Sequence, residues 1–201
     1  MKNLTDMQVD TIREVSNIGM GNAATALSQL TNQAVHITVP QAMIVEATSV
    51  GGALGGEQQE VAASYVQVVG QARGHLVLVF PLEGAHKIIE LIAPGANLDP
   101  QNDEMARSAI QEIGNILSSS FLRSLADMTQ LNLLPTVPAI AVDFAGSIVT
   151  SVVANMYEIT EHLVVVHTDF DIAGKRVGGY CIFIPEPGAL RTILNSLGVG
   201  G

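Results

Sequence analysis

The sequence predicts an α+β fold that is internally duplicated. Each half should contribute a long helix, antiparallel strands and a short helix about a pseudo-two-fold axis. Three observations predict this. First, a shift of 98 positions carries Asp10 onto Ser108, Glu14 onto Glu112, Asn17 onto Asn115 and Pro40 onto Pro138. After a six-residue slip of the kind a loop insertion makes, GHLVLVFPLEGA (74–85) matches GGYCIFIPEPGA (178–189). Second, both copies read in one order: long helix, strands, a last apolar strand, Pro, short helix. Third, the strands follow one another directly, which favours antiparallel pairing. The copies are placed at residues 1–98 and 99–201, forming one compact pseudo-symmetric domain.

In chain order, the first long helix is expected over residues 4–30, with Thr5 or Asp6 able to cap its start. Strands follow at 34–46, 60–70 and 73–80, with GGALGGEQQ as a loop after the first, and the short helix covers 82–92. APGANLDP (93–100) is the linker, because its two Pro and one Gly end one helix before the next begins. The second half gives a helix at 101–128, strands at 138–145, 147–156, 161–171 and 177–184, and a short helix at 187–197. The apolar run 139–156 has Asp143 inside it and is rich in Val, Ile and Thr, so it reads as two buried strands and not as a membrane span.

Composition narrows the function. Of the 201 residues, 48% are apolar and 14% charged, which is a packed globular composition. The net charge of −10, with nine scattered Lys and Arg, excludes a duplex or anionic-membrane binder and suits a partner with basic groups around its own site. MKNLTDMQVD lacks the apolar core of a signal peptide, and Cys181 is the single cysteine, so a cytoplasmic protein without disulfides is expected. Cys181 lies in the apolar run YCIFI and reads as a buried thiol.

The polar residues of the repeat are ordered. At about 100° per residue, Asp10, Glu14 and Asn17 form one narrow stripe, with Ile12, Val15 and Ile18 on the other side. Ser108, Glu112 and Asn115 repeat the stripe, opposed by Ile110, Ile113, Ile116 and Leu117. Both Glu–Asn pairs should therefore stand on a solvent-facing helix surface. A merely solvated face needs neither the same residues nor the same offsets twice.

The chemistry of this stripe is limited. It contains no His, and Ser108 has no neighbouring base in its helix to activate it. Asp10 and Glu14 supply two carboxylates in one half only, too few for a metal site. What is left is an amide that can hold and aim a water, and a carboxylate that can hold a cation. That suffices for phosphoryl hydrolysis if the substrate brings its own metal and positive charge, because positioning and charge stabilisation supply most of the catalysis.

D-x3-E-x2-N-x22-P at Asp10, Glu14, Asn17 and Pro40, and S-x3-E-x2-N-x22-P at Ser108, Glu112, Asn115 and Pro138, resemble the signature of the CheC/CheX/FliY phosphatases of chemotaxis. The resemblance covers essentially the whole chain. Two copies without an added flagellar-switch domain resemble the CheC group. It implies a hydrolase acting on the phosphoaspartate of the response regulator CheY. Asn17 and Asn115 would orient the attacking water, and Glu14 and Glu112 would dock the regulator's lysine. Asp10 and Ser108 would lie at the edge of the contact, and Pro40 and Pro138 would open the strand after the long helix. No cofactor of its own is implied, since the regulator carries the Mg²⁺. The receptor deamidase CheD is a second implied partner. A non-catalytic scaffold for CheY-phosphate or CheD is the alternative, and a structural flagellar-switch component a weaker third.

Other signals carry less. GMG at 19–21 follows no strand and is too sparse for a phosphate loop. Gly19, Gly21, Gly114 and Ser118–Ser120 suit close helix packing more than close approach of a partner. The five His show no ligand spacing, DFD (169–171) with IAGKR reads as a hairpin turn, and the seven Met read as core filler.

Overall fold

The computed structural model describes residues 4–154, 162–172 and 174–200 (for Thr48 and His162 the backbone alone). The elements run α1 (Asp6–Thr31), β1 (Val35–Glu46), a 3-10 turn (Ala47–Ser49), α2 (Val50–Ala53), β2 (Glu60–Gly70), β3 (Gly74–Pro81), α3 (Leu82–Ile92), α4 (Glu104–Thr129), β4 (Leu133–Pro135), β5 (Ala139–Phe144), α5 (Ala145–Ala154), β6 (His162–Ile172), β7 (Lys175–Pro185) and α6 (Ala189–Ser196).

The long helices are twins of 26 residues each. Thr5 caps α1 in a capping box: its hydroxyl accepts from Gln8 N–H, and its own N–H donates to Gln8 Oε1. Both end on a left-handed residue, Asn32 at φ 52° and Gln130 at φ 58°, again 98 positions apart.

One antiparallel sheet holds all seven strands in the order β1-β6-β7-β3-β2, with β4 and β5 both pairing the outer edge of β2. The halves therefore exchange strands. β1 of the first half pairs β6 of the second, and β5 of the second pairs β2 of the first. β3 and β7 meet in the middle, with Leu78 opposite Cys181. Strand residues alternate between two cores. Val164, Val166, Phe170 and Ile172 of β6 join α1, α3, α4 and α6 on one face, while Leu163 and Val165 join α2 and α5 on the other. β3 is covered on both faces, which explains its unbroken apolar run LVLVF (76–80).

Several expectations are corrected. Residues 147–154 are helical, in α5, and not a strand; residues 155 and 156 lie outside the described residues, as do Glu161 and Ala173. The β-branched content of SIVTSVV suggested a strand, but Ala145, Ile148 and Val149 are buried at helical spacing against the sheet, and packing overrides propensity. The loop after β1 opens with α2, and β4 was not anticipated. Ile18 is 41% exposed rather than buried. The Met are not uniformly core filler: Met20 is fully buried, whereas Met7 and Met105 are 69% and 63% exposed.

The match of 74–85 with 178–189 is also out of register in the strands. It sets Val77 on Cys181, yet Val77 faces the α2/α5 core and Cys181 the other. Pro81 leads straight into α3, whereas Pro185 is followed by a turn ending at Gly188, φ 85°. Matching Pro to Pro therefore shifts the strand by one residue, and one residue reverses its faces.

The small residues of the long helices divide by role. A Cβ on Gly19 would stand 3.0 Å from Phe121 Cα, so Gly19 lets α1 and α4 touch. A Cβ on Gly114 would collide with the Ser64 hydroxyl of β2, whereas Gly21 faces open space. Burial pushes the Cys181 thiol up to about 12, so the buried-thiol expectation holds.

Candidate functional site

Each candidate site is built where a long helix crosses the strand that follows it. β1 carries a bulge there: Thr38 pairs Asp169 and Gln41 pairs His167, so Val39 and Pro40 together face the single residue Thr168. Pro40 has no N–H, and Val39 N–H leaves the ladder and donates instead to Asn17 Oδ1 at 2.9 Å. Pro40 thus lies inside the strand and does not open it. The second half repeats the irregularity. Pro135 pairs Val68 and Ala139 pairs Tyr65, so the three residues 136–138 face Val66 and Gln67. Thr136 satisfies Gln67, donating its N–H to Gln67 O and accepting from Gln67 N–H through its hydroxyl. Pro138 does precede its strand, β5.

The two sites then diverge. Val39 is buried at 4% exposure, but Val137 points outward at 82%. Asn17 is half-buried and anchored to Val39, whereas Asn115 is exposed and its Oδ1 accepts a long 3.5 Å bond from Ser119 Oγ. Among the described residues no backbone N–H reaches Asn115. A groove of about 390 Å³ separates Glu112, Asn115 and Ser119 from the Pro135–Pro138 segment. Glu14 and Glu112 are both exposed, as the helix wheel predicts.

The surroundings of each Glu differ in one further respect. Asp10 forms an ion pair with Arg13 at 3.1 Å, so its extra negative charge is offset beside Glu14. Both partners are solvent-exposed, and such a pair contributes little stability. Gln111 stands where Arg13 does in the first half and donates its amide to Pro138 O at 2.9 Å. Asp10 and Ser108 each lie one turn before their Glu, at the edge of the stripe. Sequence reasoning did not single out Val39 N–H, Arg13, Gln111 or Ser119. The 98-residue offset pairs Arg13 with Gln111, but a backbone N–H leaves no mark in sequence beyond the proline that frees it.

The arrangement presents an acceptor carboxylate and a carboxamide side by side on a rigid helix. It can bind a cationic side chain and hold a water. Among the described residues, no group of three or more His, Cys, Asp or Glu is placed to hold a metal ion, and no helix is long and apolar enough to cross a membrane.

Residues 7–44 and 105–142 each match the CheC-like family, two segments again 98 positions apart. CheY-P phosphatase CheC of Bacillus subtilis (strain 168) is 30% identical over 200 residues, 97% of this chain and 96% of that protein. The chain belongs to the CheC family. Flagellar motor switch phosphatase FliY of the same organism is 31% identical over 125 residues, 61% of this chain and 32% of FliY. The crystal structure of Thermotoga maritima FliY superimposes with a TM-score of 0.79 at 22% identity, covering 98% of this chain and 99% of that one, a likeness of fold. Glu14, Asn17 and Pro40 lie within the first matched segment of this CheC-family chain, and Glu112, Asn115 and Pro138 within the second.

Proposed function

We propose that this chain is a phosphatase of chemotaxis that hydrolyses the phosphoaspartate of CheY. The observation that carries the reading is the same Glu–Asn pair on two long helices, each with its Glu exposed and each beside an irregular X-Pro segment, in a chain similar throughout to a CheY-P phosphatase. Glu14 and Glu112 dock the lysine beside the regulator's phosphoaspartate. The carboxamide of Asn115, and of Asn17 where it is free, accepts a hydrogen bond from a water and turns its lone pair towards phosphorus. The water oxygen bonds to phosphorus, the bond to the aspartyl oxygen breaks, and inorganic phosphate and a free aspartate result. The water's proton leaves with phosphate or solvent. The regulator brings the Mg²⁺ that neutralises the phosphoryl charge.

The anchored Asn17 favours an unequal division of labour, with turnover mainly at Glu112–Asn115 and docking weighted towards the first site. A scaffold without catalysis is the limiting case of that reading. CheD is proposed as a second partner and the cytoplasm as the location, both on the family resemblance. The decisive experiment follows the decay of phosphorylated CheY with Mg²⁺ for the intact chain and the Asn17→Ala, Asn115→Ala and double variants. Acceleration that is lost in the double variant supports a phosphatase. No acceleration by the intact chain, with binding retained, supports the scaffold.

A further inference from the structure

Across their 26 residues, α1 and α4 share seven identities at the common offset. Three have a structural cause. Ile12 and Ile110 are core residues, as are Leu27 and Leu125. Thr31 and Thr129 close the last turn by donating their hydroxyls to Leu27 O and Leu125 O. Two more are the Glu and Asn of the candidate site. That leaves Met7 with Met105, and Ile18 with Ile116, which neither the core nor a cap accounts for fully. Met7 and Met105 are 69% and 63% exposed, Ile18 is 41% exposed and Ile116 half-buried.

Met7, Met105 and Ile18 lie on the outward face of the Glu–Asn pair, and Ile116, the counterpart of Ile18, is half-buried with one side packed against the core. Relative to Glu14, Met7 lies about 20° round the helix to one side, Ile18 about 40° to the same side and Asn17 about 60° to the other. Met7 stands about 10 Å along the axis before Glu14, and Ile18 about 6 Å after it. Each polar pair is therefore bracketed by an exposed Met and an Ile. The intervening outward positions have diverged, as Asp10 against Ser108 and Arg13 against Gln111 show. Water gives no reason to keep two large apolar side chains at matching exposed positions, and contact with the same partner surface does. Methionine is suited to that task, because its unbranched thioether adapts to a partner's contour.

We propose that Met7 and Met105, aided by Ile18 and Ile116, are the apolar grips of the docking surface. They hold a phosphorylated response regulator through an apolar rim about 10 Å from its lysine, while the Glu engages that lysine. This rests on the reading given under Proposed function. Met7 and Met105 contact the partner and not the reacting atoms, so they set affinity and leave the chemical step alone.

The test compares the intact chain with Met7→Ser/Met105→Ser and Met7→Leu/Met105→Leu double variants. The readouts are kcat and KM for phosphorylated regulator, and Kd for regulator loaded with beryllofluoride. The Ser variant should raise KM and Kd on the order of tenfold with kcat within twofold, and the Leu variant should restore them. The same melting temperature in all three excludes a folding effect. Unchanged KM and Kd in a well-folded Ser variant overturn the grip. If the intact chain binds regulator without accelerating decay, the phosphatase reading fails and Kd alone decides the grip. If it does not bind, both fail.

Discussion

Asn17 Oδ1 receives the Val39 N–H at 2.9 Å, and the equivalent Asn115 stands free of its own bulge, across a groove from Val137. One motif therefore has two states within a single chain. Asn17 is a structural ligand of the strand, whereas the Asn115 carbonyl oxygen holds a long 3.5 Å contact from Ser119 and no backbone N–H among the described residues. Asn17→Ala should lower stability by about 1–3 kcal/mol, because Val39 N–H is left buried and unpaired. Asn115→Ala should leave stability within about 0.5 kcal/mol. For phosphatase activity the order reverses, with Asn115→Ala the more damaging, on the order of 10²-fold in kcat. Urea denaturation beside CheY-phosphate decay checks both limbs.

Charge reversal separates docking from chemistry. Glu112→Lys should weaken regulator binding about five- to tenfold at low salt, mainly through a slower on-rate, and the difference should shrink as salt rises. Glu14→Lys should act in the same direction. Surface plasmon resonance at two ionic strengths measures this, and salt-independent affinities in both variants would contradict a docking role.

Ser64 and Gly114 mark where α4 rests on the sheet. The Ser64 hydroxyl is buried without a hydrogen-bond partner in the described structure, pressed against the Gly114 backbone. Ser64→Ala should therefore be neutral or stabilising, by up to about 1 kcal/mol. Gly114→Ala should destabilise by about 1–3 kcal/mol through overpacking and lift α4, together with Asn115, off β2. Thermal melts of the two single variants should shift in opposite directions or differ by several degrees.

Two buried groups bound the pH range of stability. Burial holds the His75 imidazole below its ordinary 6.5, with Glu186 opposing and Arg73 reinforcing, while Tyr65 OH lies 2.7 Å from Nδ1. The unfolded imidazole binds its proton first, so this contribution is complete above pH 6.5 and lost as pH falls towards the folded value. Cys181 acts at the other end: burial raises its thiol from 9.0 to about 12, so its contribution is complete below pH 9 and lost between 9 and 12. In stability profiles, His75→Gln should flatten the acid limb and Cys181→Val the alkaline one.

The sequence made the long helices and both Glu–Asn stripes readable, because helical periodicity and a fixed offset are local signals. It also placed β2, β3, β6 and β7 to within a few residues. Residues 147–154 were misread because Ile148, Val149 and Val152 favour strands in isolation, and only the sheet beneath them selects the helix. The tether between Asn17 and Val39 was hidden because it depends on a bulge, a relation between β1 and β6 that no window of β1 contains. The exposure of Met7 and Met105 was missed because methionine's usual place is the core.

The exchange of β1 and β5 between the halves has a consequence for how the chain can be assembled. Neither half owns a complete sheet: residues 1–92 carry β1 without its partner β6, and residues 104–200 carry β5 without β2. Folding must close a loop of more than 100 residues before β1 is paired, as Val35 with Ile172 illustrates, and a shorter one before β5 is paired, as Tyr65 with Ala139 shows; such non-local pairing favours slow folding. Cleavage in the exposed 94–97 stretch should leave two fragments held together by their shared sheet. Expressed separately, each should stay unstructured or capture a second copy of itself, and mixing the two should restore the native circular dichroism spectrum.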